Sequence, residues 1–208
     1  ELPDPFGLRV DEAAAIADIN LDGQPAAVHT SNTGVEKNDR DKPGVAWAEY
    51  SGKLPEASWT AHDISGTEGK KFDLVGLLDL DDDGDLDLVV ANILDDNKRF
   101  YNDGGATPFG ATTSGASFGS SGNASDAIAI GDIDRDGDPD IVVGKFAFAN
   151  QRYLNNGDGA FGSGADIETD IGNTEDVALA DADNDGDLDL VEANNSQYNK
   201  IYYNDGDS

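Results

Sequence analysis

Cysteine and methionine are both absent from the 208 residues, and histidine occurs only twice. Without Cys there can be no disulfide, no thiolate zinc site and no thiol nucleophile. The two histidines, His29 and His62, leave no Ser-His-Asp set and no His-rich metal cluster to assemble. Positive charge is scarce as well. Lys and Arg number 13 against 43 Asp and Glu, a formal net charge of −30. Such a surface repels phosphate backbones and anionic headgroups, which argues against nucleic acid and membrane surfaces as partners. Long apolar runs are missing too: none approaches the roughly 20 residues of a membrane-spanning helix. The chain starts at Glu1 and lacks Met, as expected of a processed chain or an excised fragment.

Acidic chains of low hydrophobicity are often disordered. Here 38% of the residues are hydrophobic, and the acids gather in a few recurring clusters. That pattern predicts a folded protein with specific anionic sites, for which cations are the natural partners. Adaptation to high salt is an alternative cause of the acidity.

Internal repetition decides the architecture. A nine-residue pattern, Asp-x-Asp-x-Asp-Gly-Asp-x-Asp, occurs at residues 79–87, 132–140 and 181–189. A degraded copy starts at Asp18 and keeps Asn20, Asp22 and Gly23, but has Ala26 at the ninth position. The starts lie 61, 53 and 49 residues apart, close to the roughly 40–50 residues of a β-propeller blade.

The flanks agree with this reading. Short apolar, β-branched runs precede the loops at residues 13–17, 74–78, 127–130 and 177–180, and others follow at 88–93, 141–143 and 188–191. Bounded by Gly and Asp, they read as buried strands. A third strand ends in a turn at Asn102-Asp103-Gly104, Asn155-Asn156-Gly157 and Asn204-Asp205-Gly206, where Asn and Gly tolerate positive φ. Residues 45–50 fill this place in the first repeat. Fourth strands are expected at Phe109-Gly110, at Phe161-Gly162 and over residues 58–63. The last repeat lacks one, and Phe6-Gly7 within residues 5–10 supplies the missing piece.

The fold class expected is therefore all-β: a propeller of four repeats with four antiparallel strands per blade. Its repeats span about 11–63, 73–122, 126–171 and 175–208. The N-terminal strand would complete the last blade, either in the same chain or in a neighbouring copy. Such pairing removes exposed sheet edges.

Calcium is a hard ion that takes about 6–8 oxygen ligands in flexible geometry. Side chains at positions 1, 3 and 5 of a tight loop converge on one point, Gly at position 6 permits the turn, a carbonyl enters from position 7, and a carboxylate returns at position 9. The second loop thus offers Asp79, Asp81, Asp83, the carbonyl of Asp85, and Asp87. The third offers Asp132, Asp134, Asp136, the carbonyl of Asp138, and Asp140. The fourth offers Asp181, Asp183, Asp185, the carbonyl of Asp187, and Asp189. Asp18, Asn20 and Asp22 form a weaker site in the first loop. Three Ca²⁺ sites are expected, with a fourth possible. An EF-hand would need a Glu at position 12 and flanking helices. That position holds Val90, Val143 and Glu192, and Glu192 reads as a strand residue.

On these Asp loops, Phe-Gly pairs and Asn-Asp-Gly turns, the chain resembles the FG-GAP and VCBS repeat families over about residues 6–208. The resemblance implies a calcium-binding β-propeller like the integrin α-subunit head, with the metal loop joining the first two strands of a blade in a structural role. Those propellers usually have seven or so blades, against four repeats here.

Catalysis finds little support in the sequence. His62 is expected on an outer strand, and carboxylates such as Glu12, Glu49, Glu175 and Asp176 form no evident acid–base pair. The Gly-rich residues 110–122 read as a connection. Trp47, Tyr50, Trp59, Tyr153, Tyr202 and Tyr203 are expected mainly in the core between blades. The polar stretch 31–44 is a candidate recognition or assembly loop. The function expected is a non-catalytic extracellular or cell-surface calcium propeller serving adhesion or self-assembly through N-terminal strand exchange. The alternatives are a lectin binding glycans, or a polysaccharide lyase or hydrolase. Its partner would be itself, glycans or a surface protein.

Overall fold

A computed structural model describes residues 14–31, 44–51, 58–64, 74–93, 96–105, 108–109, 115–119, 124–169 and 171–206. Every regular element among them is a strand, as the alternating and β-branched runs predict. A first sheet contains β1 (Ala14–Ala17), β2 (Ala26–Ser31), β3 (Gly44–Ser51) and β4 (Ser58–Asp63), antiparallel and in chain order. A second contains β5 (Leu74–Leu78), β6 (Asp87–Ala91), β7 (Asn97–Phe100) and β8 (Ala116–Phe118), again in chain order.

The third and fourth repeats give β9 (Ser125–Gly131), β10 (Asp140–Phe148), β11 (Gln151–Tyr153) and β12 (Ala165–Asp166), then β13 (Gly172–Ala180), β14 (Asp189–Asn194) and β15 (Lys200–Tyr202). These do not form two separate sheets. β10 runs past its hairpin and pairs Phe146 with Asn173 and Phe148 with Gly172, joining both sets of strands. The register shifts between Phe146 and Phe148, where Ala147 adopts φ 63°, a bulge that redirects the strand.

Two further expectations need correction. Phe109 does not open a strand: it is buried in a turn at φ 67° and its ring belongs to the core, while the strand forms at Ala116–Phe118. That strand lies inside the stretch read as a mere connection. Phe118, itself buried, packs edge-on against Tyr153 and anchors it. Phe161-Gly162 likewise precedes its strand, because Gly164 at φ 70° turns the chain before Ala165. The last repeat shows three strands, β13 to β15; the expected fourth, at residues 5–10, lies outside the described residues, as does most of the stretch 31–44.

The chain divides into two compact units. One comprises the stretch ending at Leu77 with Gly84–Val90 and Arg99–Ala116; the other comprises Leu78–Asp83, Ala91–Lys98 and the stretch from Ser117 onward. The first unit buries Ile19, Val28, Val45, Trp47, Ile64, Leu88, Val90, Phe100 and Phe109 in one cluster. The second buries Ala127, Ile133, Val142, Val177 and Leu190, with Ile167, Leu179 and Tyr202 against them. Each fully buried aliphatic or aromatic side chain stabilises by about 1.5–3 kcal/mol.

Gly144 sits where β10 crosses this second core. A Cβ there would lie 2.9 Å from Val177 Cγ1 and 3.0 Å from both Ala127 Cβ and Thr174 Cγ2. Gly144→Ala is therefore expected to lower stability by about 1–3 kcal/mol through overpacking, read as a reduced denaturant midpoint.

Candidate metal centres

Each acidic loop joins the first two strands of a repeat, and in the first three its second residue explains why it stays in place. Ile19, Leu80 and Ile133 are buried apolar side chains, pinning one end of their loops into a core. The backbone then turns left-handed twice. Position 4 has φ between 52° and 67° at Leu21, Asp82, Arg135 and Asn184, and the position-6 glycines have φ between 82° and 103°. Only Gly adopts such angles without strain, which explains its recurrence at the second of these points.

The turned backbone offers its N–H groups to the first carboxylates. Gly137 N donates to Asp132 Oδ2 and Gly186 N to Asp181 Oδ2, both at 3.2 Å. Asp138 N donates to Asp136 Oδ1 and Asp187 N to Asp185 Oδ1, both at 2.9 Å. These bonds orient the side chains without consuming all their lone pairs. The result is three triads whose carboxylate oxygens lie within 4.8 Å of one another: Asp79, Asp81 and Asp87; Asp132, Asp134 and Asp136; Asp181, Asp183 and Asp189. Asp132 Oδ1 is buried and accepts no hydrogen bond. A hard, all-oxygen donor set of this kind could hold a metal ion and is compatible with calcium.

The triads do not gather every expected residue. Asp83, Asp140 and Asp185 lie outside them. Asp140 shows what else position 9 does. Fully buried, it accepts Ile133 N on Oδ2 and Asn155 N on Oδ1, both at 2.8 Å. Asp189 is held in the same way by Ala182 N at 2.7 Å and Asn204 N at 2.9 Å, and Asp87 Oδ1 takes Asn102 N at 2.7 Å. The ninth carboxylate thus closes its own loop onto the turn of the third strand. The first loop has Ala26 there and forms no triad; Asn20 Nδ2 donates instead to Asp22 Oδ2 at 3.4 Å.

Position 7 was expected to lend a carbonyl, and its side chain has a separate place. A Cβ on Gly157 would approach Asp138 Oδ2 to 2.9 Å, and one on Gly206 would approach Asp187 Oδ2 to 2.8 Å; Gly104 is crowded by Asp85 in the same way. The turn glycines are therefore needed for space as well as for φ. Asp187 is also ion-paired with Arg135, so the third loop grips the fourth.

The turn asparagines, read in the sequence only as turn formers, link successive repeats. Asn102 Nδ2 donates to the Ile19 carbonyl at 2.8 Å, Asn155 Nδ2 to that of Leu80 at 2.9 Å, and Asn204 Nδ2 to that of Ile133 at 2.9 Å. Each acceptor is position 2 of the preceding loop. Their recurrence in one register was the available signal. Asn155→Ala should cost about 1–2 kcal/mol in chemical denaturation, since it leaves a buried carbonyl without its donor.

Charge crowding is visible in the titration of the loops. Burial and then Asp185 raise Asp183 above the usual carboxylate range, and burial followed by Asp136 and Asp82 raises Asp138. Burial also raises Asp140 against the backbone donors of Asn155 and Ile133. Backbone donation from Asn204 and Ala182 prevails at Asp189 and lowers it.

Elsewhere, His62 lies on the outer strand β4 as expected, stacked on Trp47 at 4.4 Å and 3.1 Å from Glu49. Glu192 is a buried strand residue. Trp47 and Tyr153 are core residues, whereas Tyr203 is 60% exposed, contrary to its assignment to the core. It follows the last strand, β15.

Antiparallel repeats joined by turned Asp loops define a class of all-β repeat protein with acidic metal-compatible hairpins. Residues 79–143 match the family model described as FG-GAP-like repeat, so the chain carries an FG-GAP-like repeat. The match spans the second and third acidic loops. No curated protein matches the chain significantly.

Proposed function

We propose that this chain is a non-catalytic extracellular module, a four-bladed β-propeller whose acidic loops take up calcium, serving adhesion or self-assembly. The observation that carries the reading is the threefold recurrence of an Asp triad in one backbone setting. Three carboxylates within 4.8 Å repel by about 0.9 kcal/mol per pair even in water, and more where solvent is excluded. A divalent cation reverses that sign. Loops of extracellular modules bind calcium at about 10⁻⁴–10⁻³ M, so they fill outside a cell and empty in a cytosol.

An extracellular setting also suits an FG-GAP-like repeat, and no helix among the described residues is long and apolar enough to cross a membrane. β15 is the outermost strand of its sheet. Pairing it with residues 5–10, which lie outside the described residues, would close the ring within one chain or link two copies. Mass in solution separates these two forms. The carbohydrate-binding alternative keeps one foothold, the exposed Tyr203, and hits for the calcium-loaded chain on a glycan array would favour it. Thermal melts with and without chelator test the calcium role itself: equal midpoints would remove it.

A further inference from the structure

The second unit buries a polar cluster that the metal loops do not use. Glu192 on β14 is 1% exposed. Asn150 Nδ2 donates to its Oε1 and to Thr174 Oγ1 at 3.1 Å, and Asn194 Nδ2 donates to its Oε2 at 3.3 Å. Both carboxyl oxygens of Glu192 thus accept from side-chain amides.

Glu168, just after β12, faces it. Its side chain is 7% exposed, and neither carboxyl oxygen accepts a hydrogen bond. The charged groups facing it are Glu192 from β14 and Lys200 from β15, whose Nζ lies 3.6 Å from Oε2. Asp166 and Lys145 belong to a neighbouring network through Gln151. A buried carboxyl beside another carboxyl, with its one cation no nearer than 3.6 Å, is stable when it carries a proton and donates it across. The pair is a poor cation site, because amide N–H groups and an ammonium already point into it.

We propose that Glu168 carries a proton which it donates to Glu192, and that this hydrogen bond is a latch fastening the stretch 165–169 to strands β13, β14 and β15 until the proton is lost. The remaining ties of that stretch are few: Ile167 N donates to the Asn150 carbonyl at 2.9 Å, and Gln151 Nε2 to Asp166 Oδ1 at 2.7 Å. Ile167 and Glu168 also wall a cavity of about 500 Å³ beside Phe148 and Ile171, both exposed. Opening the latch enlarges this apolar recess.

Burial, followed by the contact with Glu192, pushes Glu168 up to about 7, with Lys200 opposing. The folded pKa is raised, so the latch contributes fully below the unfolded value near 4.5 and is lost as pH rises through about 7.

Hydrogen exchange of amides 165–169, on the full chain in saturating calcium from pH 5 to 8 and corrected for intrinsic rates, tests this. The opening constant should rise by about tenfold per pH unit and level off near pH 7. Glu168→Gln should abolish that slope, since a side-chain amide still donates to Glu192 but does not titrate. Should that variant fail to fold, Glu192→Gln is expected to flatten the slope by removing the facing charge. An infrared band of a protonated buried carboxyl should persist toward pH 7 in the parent chain and vanish in Glu168→Gln. A flat parent profile, a slope retained in the variants that fold, or no such band would overturn the latch.

Discussion

Calcium at about 10 mM is expected to raise the thermal midpoint of the chain by on the order of 10–20 °C over a chelated, metal-free sample. Each occupied site stabilises by RT ln(1 + [L]/Kd), about 1.4–2.7 kcal/mol at 10–100 times the dissociation constant. Three triads therefore supply about 4–8 kcal/mol, and a chain of this length moves by roughly 2–4 °C per kcal/mol. The gain has two sources, ligation in the folded state and relief of the repulsion among converging carboxylates. The third and fourth loops both lie in the second unit, so the transition reporting that unit should move strongly. Circular dichroism melts with and without chelator check it. Equal midpoints in verified metal-free and calcium-loaded samples would remove the structural role of calcium.

Asp140→Ala should cost about 3 kcal/mol or more even in chelator, whereas Asp136→Asn should cost almost nothing until calcium is added. The two carboxylates belong to one loop but do different work. Asp140 is fully buried and satisfies two backbone donors, Ile133 N and Asn155 N. Truncation strands both, at about 1–3 kcal/mol each. Asp136 is exposed and belongs to the triad with Asp132 and Asp134. An Asn there keeps an oxygen for Asp138 N, its present donor at 2.9 Å, and removes one negative charge. The metal-free variant should thus match the parent or slightly exceed it, while its calcium-dependent gain falls by about 1–2 kcal/mol. Urea unfolding of both variants, each with and without calcium, separates the roles. If Asp140→Ala lost stability only in the presence of calcium, the backbone clamp would have no independent weight.

Much of this was legible in the sequence because the loops repeat chemistry at fixed spacing. Aspartates at alternating positions around a Gly marked the expected hairpin, and the structure brings nine loop aspartates into triads. Other features left no chemical trace. The left-handed residue at position 4 is Leu21, Asp82, Arg135 or Asn184, four side chains with nothing in common. The carbonyls gripped by Asn102, Asn155 and Asn204 lie 83, 75 and 71 residues earlier, too far for any local pattern to reveal. β8 hid inside a Gly- and Ser-rich stretch because only Phe118 of its three residues is buried. The joining of β10 to β13 depends on a bulge at Ala147, a residue type that announces no positive φ.

The Glu168–Glu192 pair was equally hidden. Among 43 acidic residues, one carboxyl just after β12 and another on β14 carry no signal until burial singles them out. Glu192 stands three residues beyond the fourth acidic loop, and its strand turns it away from the metal-compatible oxygens into a set of amide donors. Local spacing placed it next to calcium chemistry. Packing assigned it elsewhere.

Whether aspartates turned inward by the backbone hold ions is answered most directly by counting calcium on the chain. Equilibrium dialysis at about 10 mM calcium should find three ions per molecule, one for each triad. The count should drop to two in a chain carrying both Asp181→Asn and Asp183→Asn, with the remaining affinities unchanged. A parent chain that takes up no calcium under these conditions would contradict the account at its root.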